Sequence, residues 1–207
     1  MAKVHFYYSA MNAGKSTVLL QANYNYLERG LKPKLFIPQI DSRVGAGIIG
    51  SRIGLTAKAK CFNNEFDFTQ HIKPQREDID CVLIDEAQFL TKSQVEQICF
   101  IADQFNIPIL AYGLRSDFKA MPFEGSKYLL ILADQLIEIK TICFCGKKAT
   151  MNIKVNSQGL VIRQGSQIEI GGNEKYIAVC RNHFYNKRDF TQTLLKQTQP
   201  ILTEKTL

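Results

Sequence analysis

The 207-residue sequence predicts an α/β fold built on a central, mostly parallel sheet. Three observations point to it. The aromatic run "KVHFYY" (3–8) leads directly into the loop "SAMNAGKST" (9–17), a strand–loop–helix pattern. The stretch "CVLID" (81–85) is apolar up to its last residue, the kind of strand buried on both faces of a parallel sheet. Strand-like runs then alternate with helical ones, which implies right-handed crossovers between parallel strands.

The remaining elements follow in chain order. "STVLLQANYNYLERG" (16–30) places Leu19, Leu20, Asn23 and Leu27 near helical spacing, with Gly30 at the C-terminal stop. "KLFIP" (34–38) reads as a second strand, and the Gly- and Ser-rich "QIDSRVGAGIIGSRIG" (39–54) as a mobile loop. "TKSQVEQICFIADQF" (91–105) starts at a Thr91 cap and lines Val95, Ile98, Cys99 and Ala102 along one helical stripe. "IPILAYG" (107–113) is a buried strand, "GSKYLLILAD" (125–134) a short helix and "QLIEIKTICF" (135–144) a further strand. After about residue 141 the texture changes to short β segments, glycine pairs and cysteines: a hairpin, a long loop and a last strand. The tail from 186 is expected to fray.

A composition of 45% hydrophobic and 22% charged residues excludes a disordered chain. The apolar run "YLLILA" (128–133) is far short of the ~20 residues a membrane span needs, and the N-terminus lacks a secretory h-region. A cytoplasmic protein without a membrane partner is the expectation. The net charge of +7 fits either a nucleic-acid partner or a site for anionic nucleotides. The basic residues are dispersed, which favours a solvated surface and no nucleic-acid partner. Of six cysteines, Cys61, Cys81 and Cys99 sit alone in apolar or amphipathic segments and read as core fillers.

Chemistry concentrates in two places. In "SAMNAGKST" (Ser9, Ala10, Met11, Asn12, Ala13, Gly14, Lys15, Ser16, Thr17), inward backbone N–H groups and a helix N-terminus suit a triphosphate. Gly14 allows close approach, Lys15 reaches the β- and γ-phosphates, and the Ser16 hydroxyl is placed for Mg²⁺. Ser9 stands where the usual pattern has its first glycine; a hydroxyl residue can take that bend at negative φ and add a donor. Asp85, ending an apolar strand, is placed as the acid that holds Mg²⁺ through water. Glu86 beside it can take a proton from an attacking oxygen. With water as acceptor the protein is an ATPase; with an alcohol, a kinase. Those residues alone leave both open.

The second place is a ligand set. Cys143 and Cys145 as C-x-C, with Cys180 and His183 as C-x₂-H, make a Cys₃His group suited to a closed tetrahedral Zn²⁺. Two unrelated pairs of reduced thiols are the alternative. A structural zinc would clamp the base of the 146–179 excursion, which has too little apolar content to fold alone.

Taken together and in order, "YYSAMNAGKST", "DEAQF", "YGLRSDFKAMPFEGS", "KTICFCGKKAT" and "IGGNEKYIAVCRNHF" resemble the zinc-containing, P-loop type of thymidine kinase, especially its bacterial members. The likeness runs from about residue 3 to 185. It implies ATP and thymidine as substrates, with deoxyuridine also accepted, Mg²⁺ with ATP, and a structural Zn²⁺. It also implies a homotetramer and inhibition by dTTP. Residues 9 to 17, with Asp85, Glu86, Ala87 and Gln88, correspond to the ATP site, and Glu86 to the catalytic base. Met11, Phe89, Leu114, Phe118 and Phe123 fall where the family forms an apolar slot around thymine, and Tyr176 matches a tyrosine near the 3′-hydroxyl. Gln167, Ile168, Glu169, Ile170 and Gly171 fall in the lasso whose main chain bonds the base edge. Arg43 is a candidate for neutralising transferring phosphoryl charge, or a solvated arginine.

Some positions depart from the family pattern: Ser9 and Ala13 in the loop, Arg115 where many members carry aspartate, Asn152 at a base-contacting position where threonine is common, and C-x-C with His183 in the zinc set. The expected architecture is a RecA-like P-loop core over 1–140, a small zinc-bound β/lasso subdomain over 141–188 and a flexible tail over 189–207. A RecA-like ATPase acting on nucleic acid is the rival reading, weakened by the absence of clustered basic residues.

Overall fold

Alternating side chains along the strands split the apolar residues into two layers, one on each face of a sheet. The computed structural model describes residues 1–167, 176–187 and 189–191. The chain begins β1 (Val4–Ser9), α1 (Lys15–Glu28), β2 (Pro33–Pro38), β3 (Ile48–Gly50), β4 (Thr56–Lys58) and β5 (Lys60–Phe62). It continues α2 (Phe68–Ile72), β6 (Cys81–Ile84), α3 (Lys92–Phe105), β7 (Ile109–Leu114), α4 (Glu124–Leu132) and β8 (Gln135–Glu138). Short elements follow: β9 (Thr141–Ile142), β10 (Lys148–Ala149), β11 (Met151–Val155), β12 (Val161–Ile162), β13 (Tyr176–Val179) and α5 (Arg181–Asn186).

Six strands form one sheet in the order β5-β2-β6-β7-β1-β8, and every neighbouring pair is parallel. In β6, Val82 and Ile84 face the layer of α2, α3 and α4, while Cys81 and Leu83 face that of α1. Phe6, Phe36, Ile109 and Ala111 join the first layer; Leu35, Ile37 and Tyr112 join Leu19 and Leu20 of α1 in the second. From β1 the chain crosses to β2 on one side, and β8 docks on the other. The crevice above the end of β1 is therefore where open α/β sheets take ligands.

Thr91 caps α3 in a reciprocal capping box with Gln94, as its place before the apolar stripe predicts. Two segments differ from their sequence reading. The 39–54 stretch contains β3, which pairs antiparallel with β4 and buries Ile49 fully, so it is not a structureless loop. The expected strand over 135–144 is two strands in different sheets: β8 ends at Glu138 and β9 pairs with β10. Among the described residues no helix is long and apolar enough to cross a membrane.

The C-terminal part has its own sheet, β12-β11-β13, and its own apolar cluster, centred on Ile153, Val155, Ile177, Val179 and Phe190. All five residues of β11 are buried.

One close approach couples the fold to the site. A Cβ on Gly125, in the first turn of α4, would lie 2.5 Å from the Ala87 carbonyl oxygen, 2.8 Å from that of Leu90 and 3.0 Å from that of Gln88. Ala normally stabilises a helix relative to Gly. Here the obstruction is backbone, so Gly125→Ala should destabilise the protein by about 1–3 kcal/mol. Calorimetry on the variant checks this, and a raised melting temperature would contradict it.

Candidate active site

The phosphate loop takes shape because β1 stops at Ser9 and α1 starts at Lys15, with two left-handed residues between them. Asn12 has φ 61° and Gly14 has φ 82°; Asn tolerates this region and Gly favours it. The N-cap residue of α1, Gly14, offers no side chain, so among the described residues the first N–H groups of the helix face the loop without a capping partner. Ala10 is buried; Met11, Ala13 and Thr17 are half-buried; Asn12 and Gly14 are exposed.

The Ser9 hydroxyl donates to the Ala10 carbonyl at 2.6 Å and accepts from Lys15 Nζ at 3.3 Å. Its φ is not positive, as the bend required, but its donor is spent inside the loop and is not a spare one. Burial lowers the Lys15 pKa, and the charges of Glu86 and Asp85 oppose that shift. Ser16 Oγ donates to Asp85 Oδ2 at 2.8 Å, tying the loop to the end of β6.

Two carboxylates are thus buried side by side, Asp85 at 1% exposure and Glu86 at 9%. Burial, and then the Glu86 charge, push Asp85 up to about 6 against the pull of Ser16, the Glu86 N–H and Lys15. Glu86 adopts a left-handed backbone, φ 48° and ψ 41°, which is costly for a residue with a Cβ. Its N–H donates to Asp85 Oδ1 at 2.9 Å. Its carboxylate accepts from Arg43 at 2.5 Å and from the Gln88 amide. Arg43 is also clamped by Asp41, through Nε at 2.8 Å and Nη2 at 2.5 Å. The turn Ala87–Phe89 follows, with Ala87 and Gln88 buried.

Gln88 carries the arrangement across to β7, its Oε1 accepting from the Leu114 N–H at 3.1 Å. Leu114, Phe118 and Phe123 are buried around the loop after β7. Phe89 packs edge-on against Phe123 with centroids 5.9 Å apart, and Phe118 against Tyr176 at 6.1 Å. The loop is pinned by Asp117, whose Oδ1 accepts the N–H groups of Lys119 and Met121 and whose Oδ2 accepts from Gln167 at 3.1 Å. Ile168, Glu169, Ile170 and Gly171 lie outside the described residues.

A phosphate loop, two buried acids and an aromatic-lined loop therefore meet at one end of the sheet. The thymidine kinase family model matches residues 2–184. The chain is 55% identical to the thymidine kinase of Coxiella burnetii over 187 residues, covering 89% of this chain and 95% of that one. It is 56% identical to the thymidine kinase of Zymomonas mobilis over 189 residues, covering 90% and 98%. The chain belongs to the thymidine kinase family.

Within that family frame, two functional candidates escaped the sequence reading. Asp41 shows only as an acid two residues before Arg43, and Asp117 only as an acid in a turn. Asn152, a base-contacting position by the resemblance, is 2% exposed and contacts the phosphate loop directly. Its Oδ1 accepts from the Met11 N–H at 2.8 Å and its Nδ2 donates to the Ser116 carbonyl at 2.9 Å. Arg115 points toward the C-terminal sheet and donates to the Thr150 carbonyl at 3.0 Å.

The metal-ligand set converges as its spacing predicts. One donor atom from each of Cys143, Cys145, Cys180 and His183 lies within 4.8 Å of all the others. Cys143 Sγ is 3.2 Å and Cys180 Sγ 3.5 Å from His183 Nδ1, and Cys145 Sγ is 3.9 Å from Cys180 Sγ. A tetrahedral ion with ~2.3 Å bonds to sulfur and ~2.0 Å to nitrogen sets its ligands roughly 3.5–3.8 Å apart, so the set fits Zn²⁺. Burial raises the Cys143 thiol, whereas hydrogen bonding to the Lys147 backbone lowers Cys145. Elemental analysis of purified protein should find roughly one zinc per chain, and His183→Ala should lose it. A full zinc complement in the variant would remove His183 from the set.

Proposed function

We infer that this chain transfers the γ-phosphoryl group of ATP to the 5′-hydroxyl of thymidine, giving dTMP in nucleoside salvage, with deoxyuridine as a second acceptor. The observation that carries the reading is the position of Glu86. It is a buried carboxylate at the end of β6, beside the phosphate loop, and joined through Gln88 to the apolar loop after β7.

Residues 9 to 17, with Ala87 and Gln88, form the ATP site, where loop N–H groups and Lys15 hold the phosphates. Mg²⁺ bound with ATP would be held by Ser16 with Asp85 behind it, and would neutralise charge on the transferring group. Glu86 accepts the proton of the 5′-hydroxyl as the oxygen attacks. Arg43, already on its carboxylate, is the cation placed to spread developing charge. Met11, Phe89, Leu114, Phe118 and Phe123 exclude water around the thymine ring, Tyr176 serves the sugar, and Gln167 with residues 168–171 serves the base edge. An apolar slot gains only ~1–3 kcal/mol from a methyl group, so thymidine is favoured over deoxyuridine modestly.

The division into a 1–140 nucleotide core, a 141–188 metal-clamped subdomain and a tail from 189 belongs to the same proposal, supported by the separate apolar cluster around Ile153. On family resemblance alone we extend it to a cytoplasmic homotetramer inhibited by dTTP.

The test is transfer of labelled γ-phosphate from ATP across the four deoxynucleosides, with water as competing acceptor. Label on thymidine and deoxyuridine is the expected outcome; release to water alone would overturn the reading. Glu86→Gln should lower kcat by about 10²–10⁴-fold with nucleotide binding nearly intact. Lys15→Ala should weaken ATP binding without altering the preference for thymidine, as competition between nucleosides would show.

A further inference from the structure

Asn152 sits in β11 of the C-terminal sheet, opposite Ala178 of β13, yet both its polar atoms point out of that sheet. One meets the phosphate loop at Met11, the residue before the left-handed Asn12; the other meets Ser116, at the start of the loop that carries Phe118 and Phe123. The amide fits one way round. Oδ1 faces an N–H and Nδ2 faces a carbonyl, so a flipped amide would set donor against donor and acceptor against acceptor.

We propose that Asn152 is a positioning residue, a single buried amide that holds the phosphate loop and the nucleoside-binding loop in fixed relation. The proposal rests on the functional reading above for what the two loops bind. Burial makes both bonds consequential, because a buried N–H or carbonyl left unpaired carries its full desolvation cost. Side chains of similar size do not replace it. Leucine makes neither bond, aspartate only accepts, and one threonine hydroxyl is too short to span both partners as the amide does. The Met11 N–H is thereby turned toward Asn152 instead of the loop interior, which fixes the bend just ahead of Asn12.

A residue that ties two binding loops together affects both ligands at once. Asn152→Leu should raise the dissociation constant of a fluorescent ATP analogue and the KM for thymidine together, each by roughly tenfold. The zinc content should stay near that of the parent protein, while the melting temperature falls by roughly 5–10 °C because the Met11 N–H and the Ser116 carbonyl lose their partner. Asn152→Thr, which retains one of the two bonds, should fall between. If only the melting temperature falls while both constants hold, Asn152 is merely structural and the proposal fails. If one constant moves alone, the linkage of the loops fails. Should the leucine variant not fold, the threonine variant decides by the same two constants. Analogue binding is measured without any acceptor, so the shift it reads stands apart from whether the parent protein phosphorylates thymidine. A parent protein that binds the analogue but labels no nucleoside defeats the functional reading instead.

Discussion

Two carboxylates side by side at the buried end of β6 set the terms for everything around them. Like charges in a low-dielectric site repel, and burial penalises each charge separately. The cost is visible in Asp85, pushed up to about 6, and in the left-handed backbone of Glu86, worth roughly 1–2 kcal/mol by itself. Such an arrangement persists only where its surroundings over-determine it. Here Lys15 and Ser16 come from the phosphate loop, Arg43 from the segment after β2, and Gln88 from the turn that follows. Three separate segments converge on that end of the sheet because the acids need partners.

How far this was legible from sequence depends on what kind of signal each part leaves. β1, the loop and α1 could be read because an aromatic strand, a Gly-Lys-Ser and a helical stripe stand in one line. β6 could be read because a strand buried on both faces has no polar residue until its end. The β3–β4 hairpin could not, since its strands have three residues each, too short to show alternation. The break between β8 and β9 was invisible because the apolar pattern runs through Ile139 while the chain changes sheets. The four candidate metal ligands carried their own spacing rule. Asn152 carried only its family position near the base, because an asparagine inside an apolar strand does not show its partners Met11 and Ser116.

The same contrast explains how the C-terminal part can be both separate and integral. It has its own apolar cluster, but besides the packing of Phe118 and Ala120 on it, its links to the nucleotide core are directional: Asn152 to Met11 and Ser116, Arg115 to Thr150, Gln167 to Asp117 and Lys119 to the Gly165 carbonyl. Apolar packing tolerates small slides between surfaces, whereas a set of mostly half-buried hydrogen bonds fixes one register. The ligand cluster lies where β9 and β13 end, with Cys143 just after the first and Cys180 just after the second. It therefore tethers the strand paired with β11, and with it the positions of both Asn152 and Tyr176. The ligand cluster thus reaches the 9–17 loop through one strand and one amide. That short path gives the polar contacts a direct hold on how the two halves of the site are aligned.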